Sequence, residues 1–310
     1  MFKLTNDAPN TVVIDWLINN ICNYKCSYCI PELNAGSNIE TPSTEIFKYF
    51  KKLEEHFSGQ DKILTISGGE PTLYKYFTEL VNQICSNFNN WYIEILTNGS
   101  RTIKWWETFA KQNEFKNLRV NISFHPEFAD ANHLLEVCKI LHNNIDTSVQ
   151  ILYKPKYKEK CSHFYTELAN SGLSLFVKYK SIKQFDEDGK TLDYNENDKK
   201  ELSKYFKTRI DTTRWPIPRN LIINDEAKPF NHIYEIVATQ KNSFKGMNCE
   251  IGNKRFYIVP SGDVFGATCT TAQKINLGNM YKHTFKPIKN AICQNNWCHC
   301  LPDIKIPKYV

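Results

Sequence analysis

The chain is 310 residues long, with 41% hydrophobic residues, 23% charged residues and a formal net charge of +6. That much apolar material fills a sizeable core and excludes disorder as the main state, and no apolar run approaches the ~18 residues of a membrane-spanning helix. The charge is spread along the chain instead of being gathered into one basic run, so it reads as a solvated surface and assigns no nucleic-acid partner. The opening residues MFKLTNDAPN lack the basic segment, apolar core and cleavage site of a secretory signal, so a cytoplasmic location without membrane association is expected. In a reducing compartment the 11 cysteines are not expected to form a disulfide framework, which leaves metal binding as the first reading.

From Thr11 to about Lys180 short β-rich runs alternate with helix-length amphipathic segments, the pattern of repeated β/α units and a parallel sheet. Strands are predicted over Val12–Ile18, Ile63–Ser67, Tyr92–Thr97, Leu118–Phe124, Thr147–Tyr153 and Leu173–Tyr179. Between them Ile46, Phe50, Leu53 and Phe57 recur at helical spacing, as do Phe77, Leu80, Val81, Ile84 and Phe88, with Ser43 as the expected N-cap of the first helix. These helices should cover the outside of the sheet. The stretch 186–201 is dominated by charge and turn formers and reads as a linker before a short helix near Leu202–Ile210. From Phe244 onward glycines and the PSGD turn at 260–263 punctuate short strands such as Arg255–Val259, predicting a small β-hairpin unit with five cysteines. The expected organisation is a barrel over 11–185, a linker and helical excursion over 186–243, and the hairpin unit over 244–310. No internal repeat or low-complexity tract interrupts it.

At the end of the first predicted strand, Cys22-Asn-Tyr-Lys-Cys26-Ser-Tyr-Cys29 puts three thiols on one loop. A closed zinc site takes four protein ligands, and the next candidates, Cys85 and His56, fall in a helix and at a helix end. Three thiolates on a four-iron cluster leave one iron free for a chelating external ligand; a zinc site completed from afar remains the alternative. The C-x3-C-x2-C spacing, with Tyr28 just before the last cysteine, resembles the fingerprint of the radical S-adenosylmethionine (radical SAM) superfamily. Ser67-Gly68-Gly69-Glu70-Pro71, after the second strand, is similar to that family's GGE motif, and the resemblance implies that Gly68, Gly69 and Glu70 receive the methionyl amino group of the cofactor. Leu96-Thr97-Asn98-Gly99-Ser100, after the third strand, is like its TNG turn. Ser123 closes the fourth strand, where related enzymes often place a small polar residue near the cofactor, and Gln150 and Leu152 on the fifth are candidates for adenine contact. The three turns lie at strand C-termini, the face where ligands bind in a parallel barrel. The resemblance covers about residues 11 to 180 and implies an α/β fold, a partial (β/α)6 TIM-like barrel.

The C-terminal cysteines occur as Cys249, as Cys269 after Pro260-Ser-Gly262-Asp-Val, and as Cys293-Gln-Asn-Asn-Trp-Cys298-His-Cys300. This resembles the twitch or SPASM extension of radical SAM enzymes, in which a hairpin turn delivers cysteines to an auxiliary 4Fe-4S cluster. The gap from Gly262 to Cys269 is six residues, longer than the usual four. The resemblance implies one auxiliary cluster, with Cys249, Cys269, Cys298 and Cys300 as its expected ligands and Cys293 as the spare; five cysteines are too few for two clusters. A structural zinc on the same thiols is the alternative. Cys85, Cys138 and Cys161 lie in apolar helical patterns and are expected in the core.

The chemistry implied by the resemblance is reductive cleavage of S-adenosylmethionine to a 5'-deoxyadenosyl radical that abstracts hydrogen, with a flavodoxin- or ferredoxin-type reductant as electron donor. An auxiliary cluster would then accept an electron from the substrate radical, making the reaction an oxidation. Such an oxidation releases a proton, and His125 with Glu127, directly after the fourth strand, is the first candidate base, ahead of Lys154 and Lys180. The first strand begins about ten residues in, leaving no leader-binding domain before it, so a small polar metabolite (a sugar, aminocyclitol or nucleotide) is the expected substrate. A precursor peptide crosslinked by the enzyme is the alternative, and a non-catalytic zinc or iron-sulfur binding protein is the third reading.

Overall fold

The computed structural model describes residues 2–36, 39–182, 194–207, 219–229, 236–237, 239–298 and 300–310. Six parallel strands stand side by side in chain order: β2 (Thr11–Asn19), β3 (Asp61–Gly68), β4 (Trp91–Thr97), β5 (Leu118–Phe124), β6 (Asp146–Tyr153) and β7 (Phe176–Ser181). The helices that follow them are α1 (Ser43–His56), α2 (Phe77–Asn87), α3 (Ile103–Gln112), α4 (Ala131–His142), α5 (Lys158–Asn170) and α6 (Glu196–Ser203). These are the six β/α units that the alternation of patterns predicts, arranged as the partial (β/α)6 barrel that the resemblance implies.

Side-chain alternation divides each strand between two environments. Trp16, Ile66, Ile95 and Val120 form one rung across β2 to β5, all fully buried toward the helices. They meet Phe50, Leu53, Leu80, Ile84 and Phe109 in the main core, and Cys85, Cys138 and Cys161 lie buried in the same core, as expected. The neighbouring rung, Asp15, Thr65, Glu94 and Arg119, faces the opposite way and is polar. Thus one sheet carries an apolar outer face and a charged inner one.

The sheet extends beyond the barrel at both edges. At one edge β8 (Tyr205–Lys207) pairs antiparallel with β7. At the other, β12 (Arg255–Ile258) pairs parallel with β2 and leads into β13 (Asp263–Phe265), β14 (Asn276–Asn279) and β15 (Thr284–Phe285), giving eleven strands among the described residues. The expected C-terminal hairpin is therefore β12–β13, and it is fused to the barrel sheet. A second sheet joins both ends of the chain in the order β10 (Glu226–Pro229), β9 (Asn220–Ile223), β1 (Lys3–Asn6), β17 (Lys308–Tyr309), β11 (Asn248–Cys249) and β16 (Ala291–Ile292).

Three local expectations shift. Ser43 is the first residue of α1, not its cap; Pro42 holds the cap position without a side-chain hydrogen bond. Instead of a helix over 202–210, α6 starts at Glu196 because Asn195 and Asp198 form a reciprocal capping box, and the chain turns into β8 after Lys204. Part of the stretch read as linker, 186–193, lies outside the described residues. Within the 186–243 interval, β9 and β10 form a hairpin whose two-residue turn, Asn224 and Asp225, has φ of 49° and 69°. Asn and Asp tolerate that left-handed backbone, and such a turn matches the twist of a hairpin.

Candidate functional site

The cysteine loop leaves β2 at Asn19, and the GGEP turn leaves β3 alongside it. Gly69 N–H donates to Asn19 O at 3.1 Å and Glu70 N–H to Ile21 O at 2.7 Å. The approach is close enough to require glycine: a Cβ on Gly68 (φ 138°) would stand 2.4 Å from Asn19 O, and one on Gly69 would stand 2.0 Å from Ile21 O. Asn19 Nδ2 donates to Glu70 O at 2.9 Å, while its Oδ1 is buried without a hydrogen-bond partner among the described residues.

Glu70 is fully buried, and protein donors surround its carboxylate. Oε1 accepts from Thr72 N at 3.1 Å, Thr72 Oγ1 at 2.6 Å and Thr97 Oγ1 at 2.7 Å, and Oε2 accepts from Asn98 N at 2.7 Å. Burial pushes this carboxyl up, and the four hydrogen bonds oppose that rise. The side chain thereby ties the GGEP turn to the TNG turn. Asn98 continues the chain of contacts, donating through Nδ2 to Cys22 Sγ at 3.7 Å and to Asn23 Oδ1 at 3.0 Å, and Asn23 Nδ2 donates to Ser100 Oγ at 2.8 Å. Three motifs that are far apart in sequence thus meet at the C-terminal ends of β2, β3 and β4.

Residues after β5 close the other side of the loop. His125 Nδ1 lies 3.0 Å from Tyr28 Oη and 3.5 Å from Cys26 Sγ, and the Tyr28 and His125 rings stack at 6.0 Å. Burial and the charge of Lys180 lower the His125 pKa to about 4, so the ring is neutral near pH 7. Glu127 accepts from Ser27 N at 2.7 Å, Ser27 Oγ at 2.6 Å and Lys154 Nζ at 2.6 Å. Both residues expected to act as bases are therefore in direct contact with the cysteine loop. Ser123 and Gln150 are register partners on β5 and β6 and share the inner face; Leu152 follows two residues along, and its carbonyl accepts from Cys161 Sγ at 3.8 Å.

Burial raises all three loop thiols, that of Cys26 to about 11, and Cys22 and Cys29 each add to the Cys26 rise. They are therefore protonated near pH 7 in the metal-free chain, and binding iron would release their protons. Among the described residues no three His, Cys, Asp or Glu side chains converge closely enough to share a single metal ion.

The C-terminal unit gathers a second set of thiols. Burial pushes Cys249 up, Lys308 draws it back, and Cys293 and Cys269 add to the rise. Burial likewise raises Cys298 to about 12, with Cys249 and Cys269 contributing, and Cys293 contributes to the rise at Cys269. Cys293 and Cys298 pack in one buried cluster, and Cys249 packs with Cys269 in another. Cys300, at the N-terminus of a short helix, acts on Tyr257 and Lys305. Lys308 is buried at 1% exposure and donates to Asp303 O at 2.7 Å, Ile304 O at 3.2 Å and Ile306 O at 2.8 Å. Sequence reasoning missed Lys308, because nothing in its spacing links it to the cysteines. It also missed Arg255, which pairs with Asp15 across the β12–β2 edge and lies 3.1 Å from Asp303 through Nε.

A GTP 3',8-cyclase of Vibrio parahaemolyticus serotype O3:K6 (strain RIMD 2210633) is 30% identical over 89 residues, 28% of this chain and 26% of that protein. An S-adenosylmethionine-dependent nucleotide dehydratase of Fibrobacter sp. (strain UWH6) is 35% identical over 94 residues, 29% of this chain and 28% of that protein. The chain thus spans little more than a quarter of the length of these curated relatives. Among solved structures, native anSMEcpe with bound AdoMet and Kp18Cys peptide superposes with a TM-score of 0.54 at 16% identity, covering 90% of this chain and 81% of that one, a likeness of fold. Native anSMEcpe with bound AdoMet alone gives 0.53 at 15% identity over the same shares. Residues 16–161, which carry the cysteine loop, the GGEP and TNG turns and most of the strands that present them, match the Radical SAM superfamily, so the chain carries a Radical SAM domain.

Proposed function

We propose that this chain is a radical SAM oxidoreductase that abstracts hydrogen from a small polar metabolite and passes the remaining electron to an auxiliary iron-sulfur cluster. The carrying observation is the second set of thiols, Cys249 with Cys269 in one buried cluster and Cys293 with Cys298 in another, in a unit whose strand β12 is hydrogen-bonded to the barrel strand β2. Four thiols suit an electron-accepting cluster that keeps no iron open for substrate.

The residues present fit the superfamily's groups. Cys22, Cys26 and Cys29 would hold a four-iron cluster with one open iron, and the unpartnered Asn19 Oδ1 beside Gly68 is an acceptor suited to an ammonium group. When bound, the reduced cluster and S-adenosylmethionine supply a 5'-deoxyadenosyl radical. Glu70 fixes the two glycine turns against each other, Asn98 donates toward Cys22, and Tyr28 and His125 wall the loop beside Cys26. Glu127 and Lys154 clamp the loop at Ser27, which makes Glu127 a positioning residue in this reading. Ser123, Gln150 and Leu152 remain the proposed cofactor contacts from β5 and β6. For the second cluster we propose Cys293, which is buried in one cluster with Cys298, in the place that spacing gives to Cys300.

The test is anaerobic reconstitution followed by iron and sulfide counting and an assay for 5'-deoxyadenosine under reduction. The expected result is about eight irons per chain, falling to about four when Cys22, Cys26 and Cys29 are all changed to Ala. Four irons falling to none would remove the auxiliary cluster and the oxidation with it. Zinc in place of iron at both sites would overturn the enzyme reading.

A further inference from the structure

The inner face of the sheet presents its side chains in layers, because residues two apart on a strand share a face and register partners on neighbouring strands stand side by side. The layer at the starts of the strands is charged and already matched: Arg119 donates to Asp146 through Nε and Nη2 at 2.8 and 2.6 Å. Burial raises the carboxyl of Glu94, the register partner of Arg119, and Arg119, Asn121 and Lys178 oppose that rise. The layer nearest the cysteine loop holds Ser123, Gln150 and Lys178 in register across β5, β6 and β7. Burial lowers Lys178, and the charge of Glu94 opposes that fall. Each of these cations therefore faces a carboxylate of the protein.

The layer between them is uncharged. Leu96, Asn121, Ser148 and Phe176 stand in register across β4 to β7, two polar side chains between two apolar ones. Asn121 and Ser148 are 7% and 5% exposed. Asn121 leans on Glu94, yet its Oδ1 is buried without a hydrogen-bond partner among the described residues, and Ser148 makes no side-chain hydrogen bond among them. Buried polar groups are seldom left this way, since water is given up and nothing replaces it. Two such groups on adjacent strands, flanked by apolar side chains, form a wall suited to a ligand that brings its own hydrogen-bonding groups.

We infer that Asn121 and Ser148 are the substrate-orienting pair of the barrel and that they hold hydroxyl groups of an uncharged ring, a sugar or cyclitol. The inference rests on the reading of the chain as an enzyme acting on a small metabolite and narrows the substrate to one class. A hydroxyl donates to Asn121 Oδ1 and accepts from Ser148 Oγ, which matches both groups. A phosphate or carboxylate brings no donor for Oδ1, and an ammonium would be buried where the carboxylate at hand, Glu94, is already engaged. Register sets the pair one layer, about 7 Å, from Ser123 and Gln150, the proposed cofactor contacts. Hydroxyls held there fix which C–H of the ring faces the cofactor, so Asn121 and Ser148 determine the regiochemistry.

The test is calorimetric titration of the reconstituted protein, saturated with S-adenosylmethionine so that the cofactor layer is filled. Glucose and myo-inositol are the uncharged probes, with glucose 6-phosphate and glucosamine as charged counterparts. At least one uncharged probe should bind, about tenfold or more tighter than either charged one, because burying an unmatched charge is costly. Asn121→Leu and Ser148→Ala should each weaken that binding about fivefold, the scale of one neutral hydrogen bond. Iron content and affinity for S-adenosylmethionine, measured on each variant, report on folding and on the cofactor layer. No binding of either uncharged probe, tighter binding of a charged one, or unchanged probe affinity in either variant overturns the inference. If Asn121→Leu fails to fold, Ser148→Ala decides alone by the same measure. Release of 5'-deoxyadenosine under reduction, measured on the same preparation, reports separately on the proposed activity.

Discussion

Lys308 on β17 is the register partner of Cys249 on β11, and that pairing places a fully buried ammonium beside the C-terminal thiols. Its three N–H donors are all taken by backbone carbonyls, and its Nζ lies 4.9 Å from the Phe244 ring centroid. A buried cation held this firmly suits a site that becomes anionic when thiolates bind iron.

Lys308→Met should therefore act in two measurable ways. Thermal unfolding should show a loss of stability, because three buried carbonyls lose their partner at about 1–3 kcal/mol for each that stays unpaired. If the proposed C-terminal cluster is bound, a redox titration followed by electron paramagnetic resonance should find it at a more negative potential, since removing a positive charge favours the oxidised form. An unchanged potential would separate Lys308 from the cluster.

The thiol grouping gives a sharper contrast. Cys293→Ser should lower the iron count from about eight to about four per chain, whereas Cys300→Ser should leave it near eight. The opposite pattern would restore the ligand set suggested by spacing alone.

Glu127 is expected to hold the cysteine loop. Glu127→Gln keeps the shape but loses the charged acceptor for Ser27 and Lys154, so iron should be lost faster to a chelator, with a stability cost of about 1–3 kcal/mol. Retention of iron together with a shifted pH–rate profile would make Glu127 a proton acceptor instead.

An ion pair on the outer face sets a pH dependence. Lys62 is completely buried and pairs with Glu54 at 2.6 Å; Trp91 Nε1 donates to the same carboxylate at 2.7 Å. Burial raises the Glu54 carboxyl, but hydrogen bonds from Lys62, Trp91 and Asn90 outweigh that and hold it below its usual value of 4.5. The folded state thus binds fewer protons there than the unfolded one. The stabilisation is present above pH 4.5 and is lost as the pH falls through the lower folded value. Glu54→Leu should flatten this acid limb of stability and cost about 3–5 kcal/mol at pH 7, because it strands the Lys62 charge. Denaturant unfolding from pH 3 to 7 measures both.

Much of this protein was legible in the chain itself. The alternation of strand and helix periods fixed the six β/α units, because burial on one face of a strand or helix imposes its period on the residues. The loop with Cys22, Cys26 and Cys29 and the two glycine turns were equally plain, since local backbone and ligand chemistry dictate residue types at short spacing. The hydrogen-bond partners of Glu70 and Glu127 were not, because the donors that surround each carboxylate come from other segments of the chain. The same holds for Lys308 beside Cys249 and for Arg255 between Asp15 and Asp303. Each joins segments tens to hundreds of residues apart, and strand pairing at β12–β2 and β11–β17, a property of the folded chain alone, brings them within reach.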